Sequence, residues 1–361
     1  MFIDDDPRVL AGLERALAVQ DHGWHCRFAD SGAAALAQMT ELAADVVVSD
    51  MRMPVMDGAE LLGKVRDRWP QAVRIVLSGY SDPDLTRRML EVAHQFIAKP
   101  CDTRQLVSAI ERATTLRDMF SDAAVVATIS RVSHLPAAPR VFNAVTQLLN
   151  DPAGNARAVA ALIGRDPALA AKVLQLANSA FFGSGRPVHD VGAAIARLGM
   201  DMVRLLVLAA QAFEGADQDP LIDTLQRRAL AAACLATDIA GRPGAAATAA
   251  LLAHIGLMVP ELRRAPPPEP ITQCGAPLHA AVGAYLLGLW GLPVDIVHAV
   301  ACHHQPMRGE AGFGLTGVVH AATAIAHVEQ PDFDYLAHVG VQDRWPVWLA
   351  AHDATVDELA P

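Results

Sequence analysis

The chain lacks a long apolar run, paired cysteines and a surplus of positive charge. Its most apolar stretch, residues 245–259, contains His254 and is shorter than the ~20 residues of a membrane-spanning helix. The five cysteines are scattered without metal-type spacing, so we expect them to be reduced packing residues. The formal net charge of −10 argues against nucleic acid, whose binding depends on Lys and Arg neutralising phosphates. These absences predict a protein that binds neither membranes nor nucleic acid.

The amino terminus carries an acidic cluster, Asp4 to Asp6, where a secretory signal peptide would carry basic residues. We therefore expect a cytoplasmic protein. With 361 residues, of which 52% are hydrophobic, the chain is too long for one ordinary core, and two domains are expected.

Residues 1–118 alternate between strand and helix patterns at the spacing of βαβ units. The predicted strands are 1–4, 24–29, 45–50, 73–78 and 95–98, and the predicted helices lie near 7–20, 31–42, 58–68, 83–93 and 103–117. The pattern predicts an α/β doubly wound domain with a five-stranded parallel sheet. Only three residues precede Asp4, so the first strand is either short or begins upstream of Met1.

The alternation stops after this domain, and residues 119–135 are predicted to be a linker. Residues 136–361 show helical periodicity interrupted by Gly, Pro and Asp, which predicts an all-α domain. Its predicted helices are 139–150, 156–163, 167–178, 190–198, 200–211, 220–240, 245–258, 277–290, 294–303 and 315–328.

Four strand ends of the first domain carry polar side chains, and the carboxyl ends of parallel strands meet at one edge of a sheet. They are the acidic cluster, Asp50, Ser78 and Lys99. Phosphorylation of a carboxylate needs a nucleophile, a divalent cation and a fixed positive charge. We predict that Asp50 is the phosphoacceptor, that Lys99 pairs with the acyl phosphate and that Ser78 donates a hydrogen bond to it.

The same edge offers oxygen ligands for Mg²⁺, a hard cation. The predicted magnesium ligands are Asp4, Asp5, Asp50 and the backbone carbonyl of Arg52. Each motif alone has a structural explanation, because aspartates cap helices and Asp-Gly pairs form turns. Their joint presence at the strand ends favours the phosphoacceptor site.

This combination resembles the receiver domain of two-component response regulators. The matching segments are Asp4-Asp5, the D-x-x-M-P-x-M-D-G run of residues 50–58, Ser78-Gly79 and Lys99-Pro100. The resemblance implies a flavodoxin-like fold and a sensor histidine kinase as phosphoryl donor. It also implies that Ser78 and Phe96 rearrange on phosphorylation and alter the face formed by the last strand and its flanking helices.

Residues 134–340 resemble the HDOD family, a relative of the HD-superfamily metal phosphohydrolases. The matching segments are residues 135–136, 165–183, 194–199, 279–283, 290–293 and 303–306. HD enzymes are named for adjacent His and Asp ligands. Aligned on Ile255-Gly256, this chain has Ala253 at the His position and His254 at the Asp position, with Arg228 and Thr323 at two further ligand positions.

Three histidines of the ancestral pattern remain, namely His279, His303 and His304, and His254 could join them. They are either a residual Zn²⁺ or Fe²⁺ site or helix-terminal packing residues. Because a carboxylate that bridges two cations cannot be replaced by a neutral imidazole, we favour packing residues and expect no metal in the HDOD domain.

The predicted function is a response regulator in which a sensor histidine kinase phosphorylates Asp50 and a catalytically inactive HDOD domain contacts an unidentified downstream protein. A homodimer through the receiver is also considered. The alternatives are a metal-dependent HD-type phosphodiesterase or phosphohydrolase acting on a cyclic dinucleotide, and a nucleotide-binding pseudoenzyme.

Overall fold

A computed structural model provides the fold. It describes residues 1–18, 23–78, 88, 92–100, 103–120, 122–129, 145, 148, 155–178, 187–200, 202–203, 220–242, 244–263, 270–272 and 275–350. Among these residues, no helix has both the length and the apolar character needed to span a bilayer.

The amino-terminal domain is built on a five-stranded parallel sheet in the order β2-β1-β3-β4-β5. Its strands are β1 (Phe2–Ile3), β2 (Phe28–Ala29), β3 (Val46–Asp50), β4 (Val73–Ser78) and β5 (Gln95–Ala98). The predicted doubly wound fold is confirmed, with β1 and β2 shorter than predicted. The central strands β3 and β4 are buried along their whole length, as expected of runs of β-branched residues covered on both faces.

Four helices of this domain are described: α1 (Pro7–Ala18), α2 (Gly32–Glu41), α3 (Gly58–Arg68) and α4 (Thr103–Met119). The predicted helix 83–93 lies almost entirely outside the described residues. Side chains cap two helices at their predicted starts, because Ser31 accepts from Ala34 N and Asp57 accepts from Glu60 N. These caps fix the residues at which α2 and α3 begin.

Helices are the main regular structure of the remaining described residues, as predicted, with one isolated β-bridge between Ile271 and Pro277. After α5 (Ala123–Ile129), the helices are α6 (Ala156–Ile163), α7 (Pro167–Asn178), α8 (Val191–Leu198), α9 (Pro220–Ala240), α10 (Ala245–Leu252), α11 (Pro260–Arg263), α12 (Leu278–Leu289), α13 (Val294–Cys302), α14 (Leu315–His327) and α15 (Phe333–His338). The predicted helix 245–258 breaks at Ala253, and a 3₁₀ turn follows at Ile255–Met258. Predicted helices 139–150 and 200–211 lie largely outside the described residues.

The two domains share one apolar core. Leu116 of α4 packs against Gly288 of α12, where a Cβ would lie 2.6 Å from a Leu116 methyl carbon. The rings of Phe120 and Tyr285 meet edge to face at 5.9 Å. The predicted linker contains α5, which also packs on α12. The last helix of the sheet domain therefore lies directly on the helical domain.

Candidate functional site

The strand ends form a buried pocket of opposite charges. Asp4 follows β1, Asp50 ends β3, and both are buried, at 2% and 6% exposure. The Lys99 ammonium lies 2.6 Å from Asp4 Oδ2 and also contacts Asp50 Oδ1. One cation thus bridges two carboxylates that would otherwise repel each other at low exposure.

Strand register places the members of the pocket. Ile3 pairs with Ser49, so Asp4 and Asp50 follow side by side. Ser78 pairs with Ala98, and Lys99 N donates to the Ser78 carbonyl at 2.8 Å. Asp4, Asp50, Ser78 and Lys99 therefore occupy one edge, as the sequence predicts for parallel strands.

The loop after Asp50 is held close to it. Arg52 N donates to Asp50 Oδ2 at 2.9 Å, which turns the backbone around the carboxylate. Gly58 N donates to the Met51 carbonyl at 2.9 Å, and a Cβ at Gly58 would overlap the Asp50 carbonyl oxygen. Only glycine permits α3 to begin this close to the end of β3.

The charge of Lys99 is stabilised by its partners. Burial disfavours the charged ammonium, but hydrogen bonds and charges from Asp4 and Asp50 outweigh burial and raise the pKa of Lys99. Lys99 remains cationic at neutral pH, the state needed to pair with a phosphoryl group.

The fit of Mg²⁺ to this edge follows from the donors. Asp4 and Asp50 already direct carboxylate oxygens at one cation, Lys99. Asp5 is exposed beside them, and its carboxylate does not complete a group of three within 4.8 Å in the described structure. The oxygen donors suit a hard cation, provided that Lys99 and Asp5 adjust their side chains.

Phe96, the predicted switch residue, is a buried side chain of β5, at 1% exposure. Immediately before the same strand, the His94 carbonyl accepts from Gln175 Nε2 of α7 at 2.9 Å. The residues that flank β5 thus have different partners: Lys99 contacts the carboxylates, and His94 contacts the helical domain.

A second site lies in the helical domain, where four histidines converge. Ligand nitrogens of His254, His279, His303 and His304 all lie within 4.8 Å of one another. His254 follows α10, His279 is in the first turn of α12, and the other two follow α13. His279 Nε2 and His304 Nε2 are 3.2 Å apart. We call these four residues the histidine cluster.

Three residues that were not predicted from the sequence, His320, His327 and Glu329, lie next to the histidine cluster. The rings of His254 and His327 stack with centroids 3.9 Å apart, and Glu329 completes a second group with both. His320 lies behind, with Nδ1 2.7 Å from the His303 carbonyl oxygen. The spacing of seven between His320 and His327 on α14 was the available signal, since it places both on one helix face.

The other positions of the degenerate pattern surround the cluster. Ala253 is fully buried, and the Thr323 hydroxyl donates to the Val319 carbonyl at 2.7 Å. Arg228 on α9 acts electrostatically on His327 and Glu329. Beside the cluster is a cavity of about 350 Å³, lined in part by His303, His304, His320, Thr323 and Glu329.

Burial disfavours the charged form of two histidines of the cluster and of the adjacent His327. Burial first, and then the neighbouring histidines, lower the pKa of His254 and of His303 well below 6.5. Burial, Arg228 and His279 lower the pKa of His327 to about 4. The expectation that this domain holds no metal stays a prediction, but the convergence of four donor nitrogens speaks against simple packing.

Two regions of the chain match known domain families. Residues 1–111 match the response regulator receiver domain, and residues 135–306 match the HDOD domain. The DNA-binding transcriptional regulator NtrC of Escherichia coli K12 is 36% identical over 112 residues, 31% of this chain and 24% of that protein. The sensor kinase CckA of Brucella abortus is 36% identical over 123 residues, 33% of this chain and 12% of that protein. The chain therefore spans a quarter or less of these relatives.

Among solved structures, the MmoQ response regulator from Methylococcus capsulatus is similar at 26% identity with a TM-score of 0.48. The similarity covers 60% of this chain and 98% of that chain.

Proposed function

The chain joins a response regulator receiver domain to an HDOD domain, and from this premise we propose that it is a two-component response regulator phosphorylated on Asp50 by a sensor histidine kinase. The observation that carries the proposal is the contact of Lys99 with both Asp4 and Asp50. A nucleophilic carboxylate beside a fixed cation is what phosphoryl transfer to an aspartate requires.

In this proposal, an Asp50 oxygen attacks the phosphorus of a phosphohistidine. A P–O bond forms as the P–N bond breaks, and the imidazole leaves with the bonding electrons. Lys99 turns from Asp4 to the transferred phosphoryl oxygens, and the Ser78 hydroxyl donates a hydrogen bond to them.

Mg²⁺, when bound, neutralises charge on the phosphoryl oxygens. Its proposed ligands are Asp4, Asp5, Asp50 and the Arg52 carbonyl. Support comes from the low exposure of the Asp4 and Asp50 carboxylates, since buried anions need a cation.

We propose that the HDOD domain is an output module that acts by protein contact in the cytoplasm and does not hydrolyse a substrate. The support is chemical: Ala253 and His254 stand where an HD enzyme needs a His and a bridging Asp. Without that carboxylate, two cations cannot be held for the hydrolysis of a phosphodiester. The domain limits 1–118, 119–135 and 136–361 belong to the same proposal.

The contact between the domains offers a route for the signal. Gln175 binds the His94 carbonyl immediately before β5, and α4 packs on α12. Movement of Phe96 and Lys99 on phosphorylation would strain this contact and shift the population of docked and separated domains. A receiver face released in this way is free to form a homodimer or to bind the downstream protein.

The test uses the full chain with Mg²⁺ and a small phosphodonor such as acetyl phosphate, read out by intact mass. We expect one phosphoryl group on the wild type and none on Asp50→Asn. Asp67→Asn, an exposed carboxylate paired with Arg66, is the matched control and should be phosphorylated like the wild type. A wild-type chain that never gains the phosphoryl mass, or an Asp50→Asn chain that gains it, would refute the proposal.

The same protein tests the output. The proposal expects no turnover of a cyclic dinucleotide after addition of Mn²⁺ or Fe²⁺ and no nucleotide-dependent rise in melting temperature. Turnover would instead support the phosphodiesterase alternative, and a thermal shift without turnover would support the nucleotide-binding pseudoenzyme.

A further inference from the structure

We propose that the histidine cluster binds one divalent first-row transition metal ion, of the Zn²⁺ or Fe²⁺ class, through His254, His279, His303 and His304. The ion would hold together the ends of α10 and α13 and the start of α12. This site is separate from the phosphoacceptor edge and does not depend on its function.

The spacing of the nitrogens is that of ligands around one ion. A tetrahedral Zn²⁺ holds nitrogens at ~2.0–2.1 Å, so its ligand atoms lie roughly 3.3–3.4 Å apart. His279 Nε2 and His304 Nε2 are 3.2 Å apart, and all four donors fit within 4.8 Å. A modest contraction of the ring positions is enough to surround an ion.

His303 provides the independent observation. Its Nδ1 is 2.8 Å from the Val300 carbonyl oxygen, which only accepts hydrogen bonds, so Nδ1 carries the proton. The Nε2 atom then carries a lone pair and no proton. It is buried without a hydrogen-bond partner, and the residue is only 1% exposed. An imidazole that donates one N–H to a backbone carbonyl and keeps the other nitrogen free is the usual form of a metal-bound histidine.

A second nitrogen repeats the pattern. Nε2 of His327, whose ring stacks on His254, is also buried without a partner. Burial of polar atoms without partners is rare and calls for an explanation such as a bound ion. The exposed Glu329 beside it offers a carboxylate that offsets the charge of an ion and of Arg228.

The chemistry of the donor set fits one transition-metal cation. Neutral imidazole suits Zn²⁺ and Fe²⁺, whereas Mg²⁺ prefers oxygen. Because the group of four ligands contains no carboxylate to bridge a pair of ions, we assign it a single ion.

The backbone around the cluster is fixed in advance. Gly256, two residues after His254, lies so close to α12 that a Cβ would overlap the His279 carbonyl oxygen. Gly283 of α12 packs against the same glycine, where a Cβ would lie 3.1 Å from Gly256 N. Because two ligands are carried by segments in direct backbone contact, little ordering is left for the ion to impose.

The test measures metal binding by the full chain. Purified protein is stripped with a chelator, titrated with Zn²⁺ against a competing chelator, and separately loaded with Co²⁺ for absorption spectroscopy. We expect one Zn²⁺ per chain and the intense visible bands of nitrogen-ligated tetrahedral Co²⁺. His304→Ala should weaken Zn²⁺ binding by more than about 100-fold, beyond the roughly 10–100-fold loss typical of an outer-shell change.

Matched variants separate the cluster from other sites. His338→Ala, an exposed histidine on α15, should bind like the wild type, and so should Asp50→Asn, which removes the receiver carboxylate. Helical circular dichroism and a cooperative urea transition like those of the wild type report that His304→Ala is folded. If His304→Ala does not fold, the wild-type cobalt spectrum decides alone. Octahedral oxygen-ligand bands, less than one ion per chain, or unchanged affinity in folded His304→Ala would overturn the proposal.

Discussion

Replacing Lys99 with methionine should destabilise the receiver domain, and the structure sets the size of the effect. Lys99 is the shared partner of Asp4 and Asp50, whose side chains are only 3% and 9% exposed. Methionine keeps the length of the side chain but leaves two buried anions facing each other. Removing one partner of a buried ion pair costs 3–5 kcal/mol. Because the Lys99 side chain is 28% exposed, solvent screening reduces this to about 2–3 kcal/mol.

The assay is urea unfolding of the full chain, followed by circular dichroism with and without Mg²⁺. In chelator, Lys99→Met should lose about 2–3 kcal/mol, whereas Lys64→Met should lose less than about 0.5 kcal/mol. Lys64 is the matched control because it pairs with Glu60 at 2.8 Å on the exposed face of α3. Mg²⁺ should restore much of the loss in Lys99→Met, since it supplies the missing positive charge to the same carboxylates.

Two results would refute this reasoning. Equal stabilities of Lys99→Met and Lys64→Met in chelator would mean that the carboxylates do not depend on the ammonium. A Mg²⁺ response no larger in Lys99→Met than in wild type would mean that lysine and magnesium do not share those oxygens.

Three further substitutions probe the loop, the interface and the acid response. Val55 is fully exposed and has a φ of 70°. Val55→Gly should raise the free energy of unfolding in urea by about 1 kcal/mol, because it removes the strain of a left-handed backbone at a β-branched residue. Gly288→Leu should lower the melting temperature, at a cost of about 1–3 kcal/mol, because the new side chain meets Leu116. The pKa of His94 lies well below 6.5 through burial, Arg74 and Lys172, so stability should fall as pH drops below about 6.5, where only the unfolded chain takes up the proton. In His94→Gln, unfolding measured across that range should have a shallower slope, by up to about 1.4 kcal/mol per pH unit.

The fold of both domains was predictable because it depends on short-range patterns. The β-branched runs that become β3 and β4 are continuous in sequence, and their parallel arrangement brings Asp50, Ser78 and Lys99 to one edge whatever the helices do. Both family resemblances are confirmed by the matches at residues 1–111 and 135–306. The length of β2 was overestimated. His25 and Cys26 lie within the predicted strand 24–29, but in the structure they are exposed and precede β2.

The sequence named all four members of the histidine cluster but not the neighbours His320, His327 and Glu329, because those contacts depend on how helices pack over long separations. His254 and His327 are 73 residues apart in sequence, yet their rings stack, since α14 and α10 both pack on α9. Because the bridging aspartate is absent, the sequence favoured packing roles for the remaining histidines over metal binding. That argument concerns a two-metal centre and does not bear on a single ion held by imidazoles.

The strand β5 and the helix α12 connect the phosphoacceptor site with the histidine cluster. Lys99 and His94 flank the short strand β5, so a shift of Lys99 toward a phosphoryl group would act on a strand that is preceded by the residue hydrogen-bonded to Gln175 of α7. The helix α12 carries both Gly288, which meets the receiver, and His279, which belongs to the histidine cluster. An ion that fixes the start of α12 would make that helix a rigid platform for the receiver. Under the proposed function, phosphorylation would then separate two firm surfaces and leave neither domain unfolded.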